Sequence, residues 1–402
     1  EEAWEVSSAT NTFPEICGRI CPQDRLCEGN CVIEKGFESV TIGAVEKHIT
    51  ETAFENGWVK PPTPREERPE SIGIIGAGPA GLAAADMLRR RGYQVEIYDR
   101  YDRVGGLLIY GIPGFKLEKD IVERREKLLR DGGVTFHLNV DIGGDTSFAE
   151  LREKHDAVLI ATGVYKARDL NIDGVERDGV IPALDFLTAS NRLGMGDDLS
   201  SDETDRYFAE GRRVVVIGGG DTAMDCVRTA IRQKAASVSC LYRRDRANMP
   251  GSAREVMNAE EEGVNFEWLT MPEGFEGGDA VEAVRCSKIH LGQPDATGRR
   301  VPEPIPGSSY FKEADLVIKA LGFDPEDLPS AFNEPRLKVS RWGTININWQ
   351  SMMTSLDGVF AAGDIVRGAS LVVWAVRDGR DAAERIDTWL SHKAAGADKI
   401  AS

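Results

Sequence analysis

Two stretches of the chain repeat one pattern of apolar and polar positions. Ser71 to Ile75 is a short apolar run that ends in glycines. Leu82 to Arg91 then carries helical spacing, and Gln94 to Asp99 is a second β-type run. Further on, Arg213 to Ile217 is apolar and β-branched. Gly218-Gly219-Gly220 come next, then a helical stretch from Thr222 to Lys234 and a β-type run from Ser237 to Tyr242. Strand, glycine turn, helix and strand in that order predict an α/β fold with parallel sheets covered on both faces. Upstream, the chain to about Trp58 reads as a helical head. Val59-Lys60-Pro61-Pro62-Thr63-Pro64-Arg65 comes after it as a stiff, extended connector, because proline fixes φ and donates no backbone hydrogen bond.

The glycines in these two units have the spacing of phosphate-cradling turns. The first is Gly76-Ala77-Gly78-Pro79-Ala80-Gly81, placed after a strand and before a helix, the context such a motif requires. Gly76 permits the tight turn, Gly78 lets backbone approach a pyrophosphate, and Gly81 lets helix and strand pack closely. The helix N-terminus turns free N–H groups toward the anion. Asp99 closes the second strand, where a carboxylate can bond a ribose hydroxyl. The second turn is Gly218-Gly219-Gly220-Asp221-Thr222-Ala223, with Ala223 in the close-packing position. At its ribose-reading position stand Arg243 and Arg244 instead of a carboxylate, with Asp245 next. Guanidinium groups bond phosphate in two-pronged fashion, so a 2′-phosphate, and hence NADPH over NADH, is the expected ligand. Gly218, Gly220, Asp221, Thr222, Ala223, Arg243 and Arg244 form the expected NADPH site.

Composition narrows the picture. The 402 residues carry 41% hydrophobic and 29% charged residues, enough for two or three filled cores. A formal charge of −17 disfavours nucleic acid and anionic membrane; it reads as a solvated surface or as a docking face for a partner. No apolar run approaches the roughly 18 residues of a membrane span, and no secretory signal is visible. The chain opens without Met on Glu1-Glu2-Ala3-Trp4, which reads as the inside of a helix, so further residues are expected upstream. Four of seven cysteines crowd the head, as Cys17-x3-Cys21-x5-Cys27-x3-Cys31. Such dense thiols suit iron–sulfur ligation, with zinc or free thiols as alternatives, and point to a reducing, cytoplasmic setting. Cys226, Cys240 and Cys286 are scattered, and no Cys-x-x-Cys pair offers a redox dithiol.

Three further strings, Val104-Gly105-Gly106-Leu107, Ala161-Thr162-Gly163 and Gly358-Val359-Phe360-Ala361-Ala362-Gly363-Asp364, resemble signatures of the two-dinucleotide flavoprotein superfamily. The resemblance assigns the first turn to FAD, with Gly76, Gly78, Gly81, Asp99, Gly105, Gly106, Leu107, Thr162, Gly163, Gly363 and Asp364 as its site. Asp364 would bond the ribityl chain. The implied organisation is a head over 1–60, a linker over 61–70, and an FAD domain over 71–175 and 343–402. The NADPH domain, 176–342, is inserted in it. The whole is two Rossmann-like dinucleotide-binding domains preceded by a helical iron–sulfur head.

The strings Phe13-Pro14-Glu15-Ile16-Cys17-Gly18-Arg19-Ile20-Cys21-Pro22, Gly105-Gly106-Leu107-Leu108-Ile109-Tyr110-Gly111-Ile112-Pro113 and Gly363-Asp364-Ile365-Val366-Arg367-Gly368 are more specific. Over nearly the whole chain they resemble the small-subunit family of bacterial NADPH-dependent glutamate synthase. That resemblance implies an NADPH-oxidising flavoprotein that passes electrons through [4Fe-4S] clusters to a large α subunit. The partner would carry FMN and a [3Fe-4S] cluster and make glutamate from 2-oxoglutarate and glutamine. By the pattern of the related dihydropyrimidine dehydrogenase head, Cys17, Cys21 and Cys27 would serve one cluster and Cys31 another. The family's remaining cysteines lie upstream of the Cys17 motif, so neither ligand set is complete within residues 1–402. Alternatives of the same build are a dihydropyrimidine dehydrogenase-like or ferredoxin–NADP reductase-like subunit. A binding module with structural cofactors and a zinc-headed regulatory protein are rivals of another class.

Overall fold

The computed structural model describes residues 1–34, 36–294 and 300–401, with side chains to residue 394. Two compact units emerge. The first comprises residues 1–109, 115–166 and 323–402, the second 110–114 and 167–322.

The first unit is built on a parallel sheet of five strands. They are β1 (Ser71–Ile75), β2 (Gln94–Asp99), β3 (Thr135–Leu138), β4 (Ala157–Ile160) and a late strand, Val359–Ala361. In space the late strand leads, with β4, β1, β2 and β3 after it. Ile72, Ile74, Leu159, Ile160 and Phe360 are fully buried, as expected of strands covered on both faces. Register pairs Ser71 with Gln94 and Ile75 with Tyr98, which brings the C-terminal ends of β1 and β2 together.

The head is part of this unit. It contains α1 (Glu2–Thr10), α2 (Pro14–Ile20) and α3 (Ile42–Glu55), and residues 59–70 run on without helix or strand. Pro14 at the first position of α2 suits a helix start, where the missing N–H has no partner to lose. Glu15 on α2 is fully buried and accepts from Arg125 Nε at 2.7 Å. Arg125 belongs to a helix over Lys119–Asp131. Around this pair, Arg19 bonds Glu51 and Glu118 at 3.0 and 2.9 Å, and Arg124 bonds Glu51 at 2.8 Å.

The second unit has its own five-stranded parallel sheet. Its strands, in spatial order, are Val180–Pro182, Leu316–Lys319, Arg213–Ile217, Ser237–Tyr242 and Asn265–Trp268. Its core gathers Val214, Val216, Cys226, Val227, Cys240 and Ile318. An antiparallel sheet formed by 270–277, 281–294, 300–304 and 310–313 stands beside it in the sequence.

Both glycine-turn helices begin earlier than the apolar pattern suggests: Pro79–Arg90 and Asp221–Arg232. Helix geometry continues through residues that the apolar pattern alone leaves unmarked. The chain also rejoins the first unit near residue 323, ahead of the expected 343. Leu328, Phe332 and Leu337 account for this, because they enter one core with Phe148, Ile160 and Val359. Among the described residues no helix is long and apolar enough to cross a membrane.

Candidate cofactor sites

At the C-terminal end of β1 the chain turns sharply at Gly76, whose φ is +109°. A Cβ there would stand 2.4 Å from the Ala161 carbonyl oxygen, and one at Gly81 would stand 2.1 Å from that of Gly76. Both positions therefore exclude side chains because protein is in the way. Gly78 differs. It caps the helix behind it with φ −81° and ψ −177°, angles open to any residue, and a Cβ there would meet no protein atom within 4 Å. The backbone at Gly78 thus faces room that the fold does not use, at the positive end of a helix whose first turn holds no acidic residue.

That room is the mouth of a cavity lined by Gly76, Gly78, Asp99, Leu107, Thr162, Gly163 and Asp364. The remaining residues expected at this site support it from behind. Gly105 N–H donates to the Ala77 carbonyl at 2.9 Å, Gly106 approaches Gly78, and Gly363 packs on Ala80. Asp99 accepts the N–H groups of Ala77 and Tyr101 at 2.6 and 2.9 Å. Burial pushes its carboxyl above the usual range against those two hydrogen bonds. Thr162 Oγ1 is buried and has no hydrogen-bond partner among the described residues. Asp364 is pushed up to about 7 by burial, with the like charge of Asp378 adding and the Ser370 N–H opposing. An uncommitted hydroxyl, the buried Asp99 carboxyl, the half-buried Asp364 carboxyl and an open backbone cradle form a donor and acceptor set that fits a dinucleotide with ribose and ribityl hydroxyls.

The sequence reading missed several wall residues. Tyr165 lines this cavity and an adjoining one that runs over Arg100, Tyr101 and Val140. Arg100 bonds both carboxylate oxygens of Glu326 at 2.9 and 3.0 Å and lies over the rings of Tyr101 and Tyr165. Tyr165 lies two positions past Gly163 and could have been suspected. Glu326 carries no local signal, because its partner is far away in sequence.

The second turn repeats the geometry. Gly218 has φ +149°, and a Cβ there would stand 2.2 Å from the Ala320 carbonyl oxygen. Gly220 has φ −90° and ψ 177°, and its Cβ would again meet no protein atom within 4 Å. Ala223 is fully buried on the helix behind. Asp221 and Thr222 open that helix, and Asp221 Oδ1 accepts the Ser252 N–H at 2.9 Å, so its carboxylate ties down a loop. Arg243, exposed, and Arg244, half-buried, come directly after the Ser237–Tyr242 strand, and neither enters an ion pair among the described residues. Asp245 accepts the Asn248 N–H at 2.9 Å, which turns it into its own loop.

In the head, Cys17 is buried and neighbours Cys21. That thiol, together with burial, holds Cys17 well above its ordinary value. Cys27 is exposed and Cys31 half-buried. Among the described residues no three metal-binding side chains converge, so the four cysteines do not by themselves form a closed ligand set.

Comparison with known proteins gives two matches along the chain. Residues 70–379 match the family model of pyridine nucleotide-disulphide oxidoreductases, and residues 1–58 match that of dihydropyrimidine dehydrogenase domain II, 4Fe-4S cluster. The chain is 65% identical over 395 residues to the glutamate synthase [NADPH] small chain of Azospirillum brasilense, covering 98% of this chain and 82% of that one. It is 45% identical over 394 residues to the small chain of Escherichia coli, covering 97% and 83%. Among solved structures, Mycobacterium tuberculosis FprA in complex with NADPH superposes with a TM-score of 0.69 at 21% identity, over 82% of this chain and 86% of that one. Lactococcus lactis thioredoxin reductase gives 0.59 at 22%, over 80% and 99%. These last two speak for the fold. With the glycine turns, the head and these relatives together, the chain belongs to the small-chain family of NADPH-dependent glutamate synthase and is an NADPH-dependent oxidoreductase.

Proposed function

We propose that this chain takes hydride from NADPH onto FAD and sends the electrons through [4Fe-4S] clusters in its head to a large, FMN-containing glutamate synthase subunit. That subunit, with its own [3Fe-4S] cluster, makes L-glutamate from 2-oxoglutarate and L-glutamine. The observation that carries the reading is the pair of glycine turns, alike in backbone yet unlike in the residues at the end of each unit's second strand. Asp99 suits the ribose of FAD, and Arg243 with Arg244 suits a 2′-phosphate. FAD, when bound, supplies the exchange between two-electron and one-electron chemistry. The chain's own residues bind and orient. Gly78 and Gly220 admit pyrophosphates, Thr162 and Asp99 offer hydrogen bonds, and Asp364 accepts from the ribityl chain. Support for Cys17, Cys21, Cys27 and Cys31 as cluster ligands comes from the head's family, since they do not converge here. We place the chain in the cytoplasm as part of a hetero-oligomer with that large subunit; no disulfide joins the described cysteines, which suits a reducing compartment. The test is to mix the chain with the large subunit, add NADPH without oxygen, and monitor partner FMN. Its reduction is expected; a partner that stays oxidised while the chain's own flavin bleaches would mean a different acceptor.

A further inference from the structure

One wall of the first cavity is a single helical turn, Asp364–Arg367, with Ser370, Leu371 and Val372 after it at the start of the C-terminal helix. Asp364 faces the cavity and Arg367 ends the turn. The Arg367 guanidinium grips Asp378 on the C-terminal helix with two bonds, Nε to Oδ2 at 2.5 Å and Nη2 to Oδ1 at 2.7 Å. Asp378 is 1% exposed. Its neighbour Gly379 is pressed so closely on the glycine-turn helix that a Cβ would stand 2.1 Å from the Ala80 carbonyl oxygen. Arg367 also lies near two indoles, 5.2 Å from the Trp349 ring and 5.6 Å from that of Trp374. A planar guanidinium suits a two-pronged bond to a carboxylate beside aromatic rings, which an ammonium cannot reproduce.

Two carboxyls, Asp364 and Asp378, therefore lie within electrostatic reach of each other, and one guanidinium bonds Asp378 while acting on Asp364 by charge alone. The other groups in play are the Ser370 N–H on Asp364, Asp381 acting on Arg367, Arg377 beside Asp381 at 3.7 Å, and Asp99 and Tyr165 in the same cavity wall. We propose that Arg367 is a positioning residue for the flavin: its two-pronged ion pair with Asp378 fixes the turn that carries Asp364 and offsets the Asp378 charge, so that Asp364 is presented to a ribityl hydroxyl as an acceptor. This rests on the first cavity being the FAD site.

The charges set the direction of the effect. Burial and Asp378 favour the protonated form of Asp364, and Arg367 opposes them. On this proposal the carboxylate form of Asp364 is the acceptor, so FAD affinity is expected to rise with pH as Asp364 ionises, around 7. Removing Arg367 leaves Asp378 unopposed and moves that rise upward. A shift of one pH unit makes FAD about tenfold weaker on the acid side of the transition. The measurement is the FAD dissociation constant of the full chain from pH 6 to 9, by flavin fluorescence, with folding checked by thermal unfolding. Arg367→Gln is expected to move the rise upward, and Arg367→Lys to fall between it and the unaltered chain. Arg367→Gln with Asp378→Asn is expected to bring the profile back, since both charges are gone. A double variant that stays as weak as Arg367→Gln at every pH would reduce Arg367 to packing and overturn the proposal. An Asp364→Asn chain that binds FAD like the unaltered one at every pH would overturn the FAD reading beneath it. If Asp364→Asn flattens the profile while Arg367→Gln leaves it in place, the proposal alone fails.

Discussion

Replacing Gly78 by alanine separates what the fold requires from what a ligand requires. The new Cβ meets no protein atom within 4 Å, and φ −81° with ψ −177° suits alanine. Alanine is a poorer helix N-cap by about 0.5–1 kcal/mol. Its smaller unfolded-state entropy returns about 0.4–1 kcal/mol. The net change in stability of the cofactor-free chain should lie within about 0.5 kcal/mol. The methyl group instead projects into the room proposed for the FAD pyrophosphate. Overpacking of this kind costs about 1–3 kcal/mol, or roughly 5- to 150-fold in affinity. Gly76→Ala is the contrasting control, with φ +109° and a contact of 2.4 Å to the Ala161 oxygen. Left-handed strain of about 1–2 kcal/mol and a backbone clash should lower its stability before any cofactor is added. Thermal unfolding of the cofactor-free chains and flavin fluorescence on FAD addition read both effects. A Gly78→Ala chain that binds FAD with unchanged affinity, or unfolds as early as Gly76→Ala, would refute the reasoning.

Arg243→Ala with Arg244→Ala should raise the KM for NADPH strongly and leave that for NADH nearly unchanged; equal effects on both would remove the 2′-phosphate reading. Glu15→Ala strips the partner from a guanidinium that is 5% exposed, so thermal or denaturant unfolding should register a loss of about 3–5 kcal/mol. Burial pushes Glu262 up, but hydrogen bonds from Arg232 and Arg228 outweigh it and hold the carboxyl at about 2. Its folded value lies below the unfolded one, so its contribution is full above the ordinary carboxylate range and fades as pH falls toward 2. Glu262→Gln should accordingly be less stable at pH 7 and show a shallower acid slope in thermal midpoint.

The parts of this molecule that were readable in sequence are those with local causes. Two strands of each parallel sheet announce themselves as apolar runs, and both turns as glycines at fixed spacing, because strained backbone and close approach restrict residue choice position by position; the other strands and the antiparallel sheet do not. Asp99 ends the strand after the first turn and Arg243–Arg244 come directly after the strand following the second, at the positions that spacing from each turn predicts. The features that escaped are carried by contacts between distant segments. Glu326 meets Arg100, and Leu328 and Phe332 join the core of Phe148, with no pattern in their own surroundings to say so. The return to the first unit was accordingly placed too late. Arg367 stands in the Gly363–Gly368 family string, but its grip on Asp378 and its approach to Trp349 and Trp374 appear only in three dimensions. Cysteine spacing named a cluster, yet spacing says nothing of whether four side chains converge.

The central claim is that one chain holds both a flavin and NADPH and passes hydride between them. An anaerobic titration of the FAD-loaded chain with NADPH, monitored by visible absorbance, tests it most directly. Bleaching of the flavin bands by about one equivalent of NADPH, with NADH far less effective at equal concentration, is the expected result. A flavin that stays oxidised through excess NADPH, or one that NADH reduces equally well, would contradict the account.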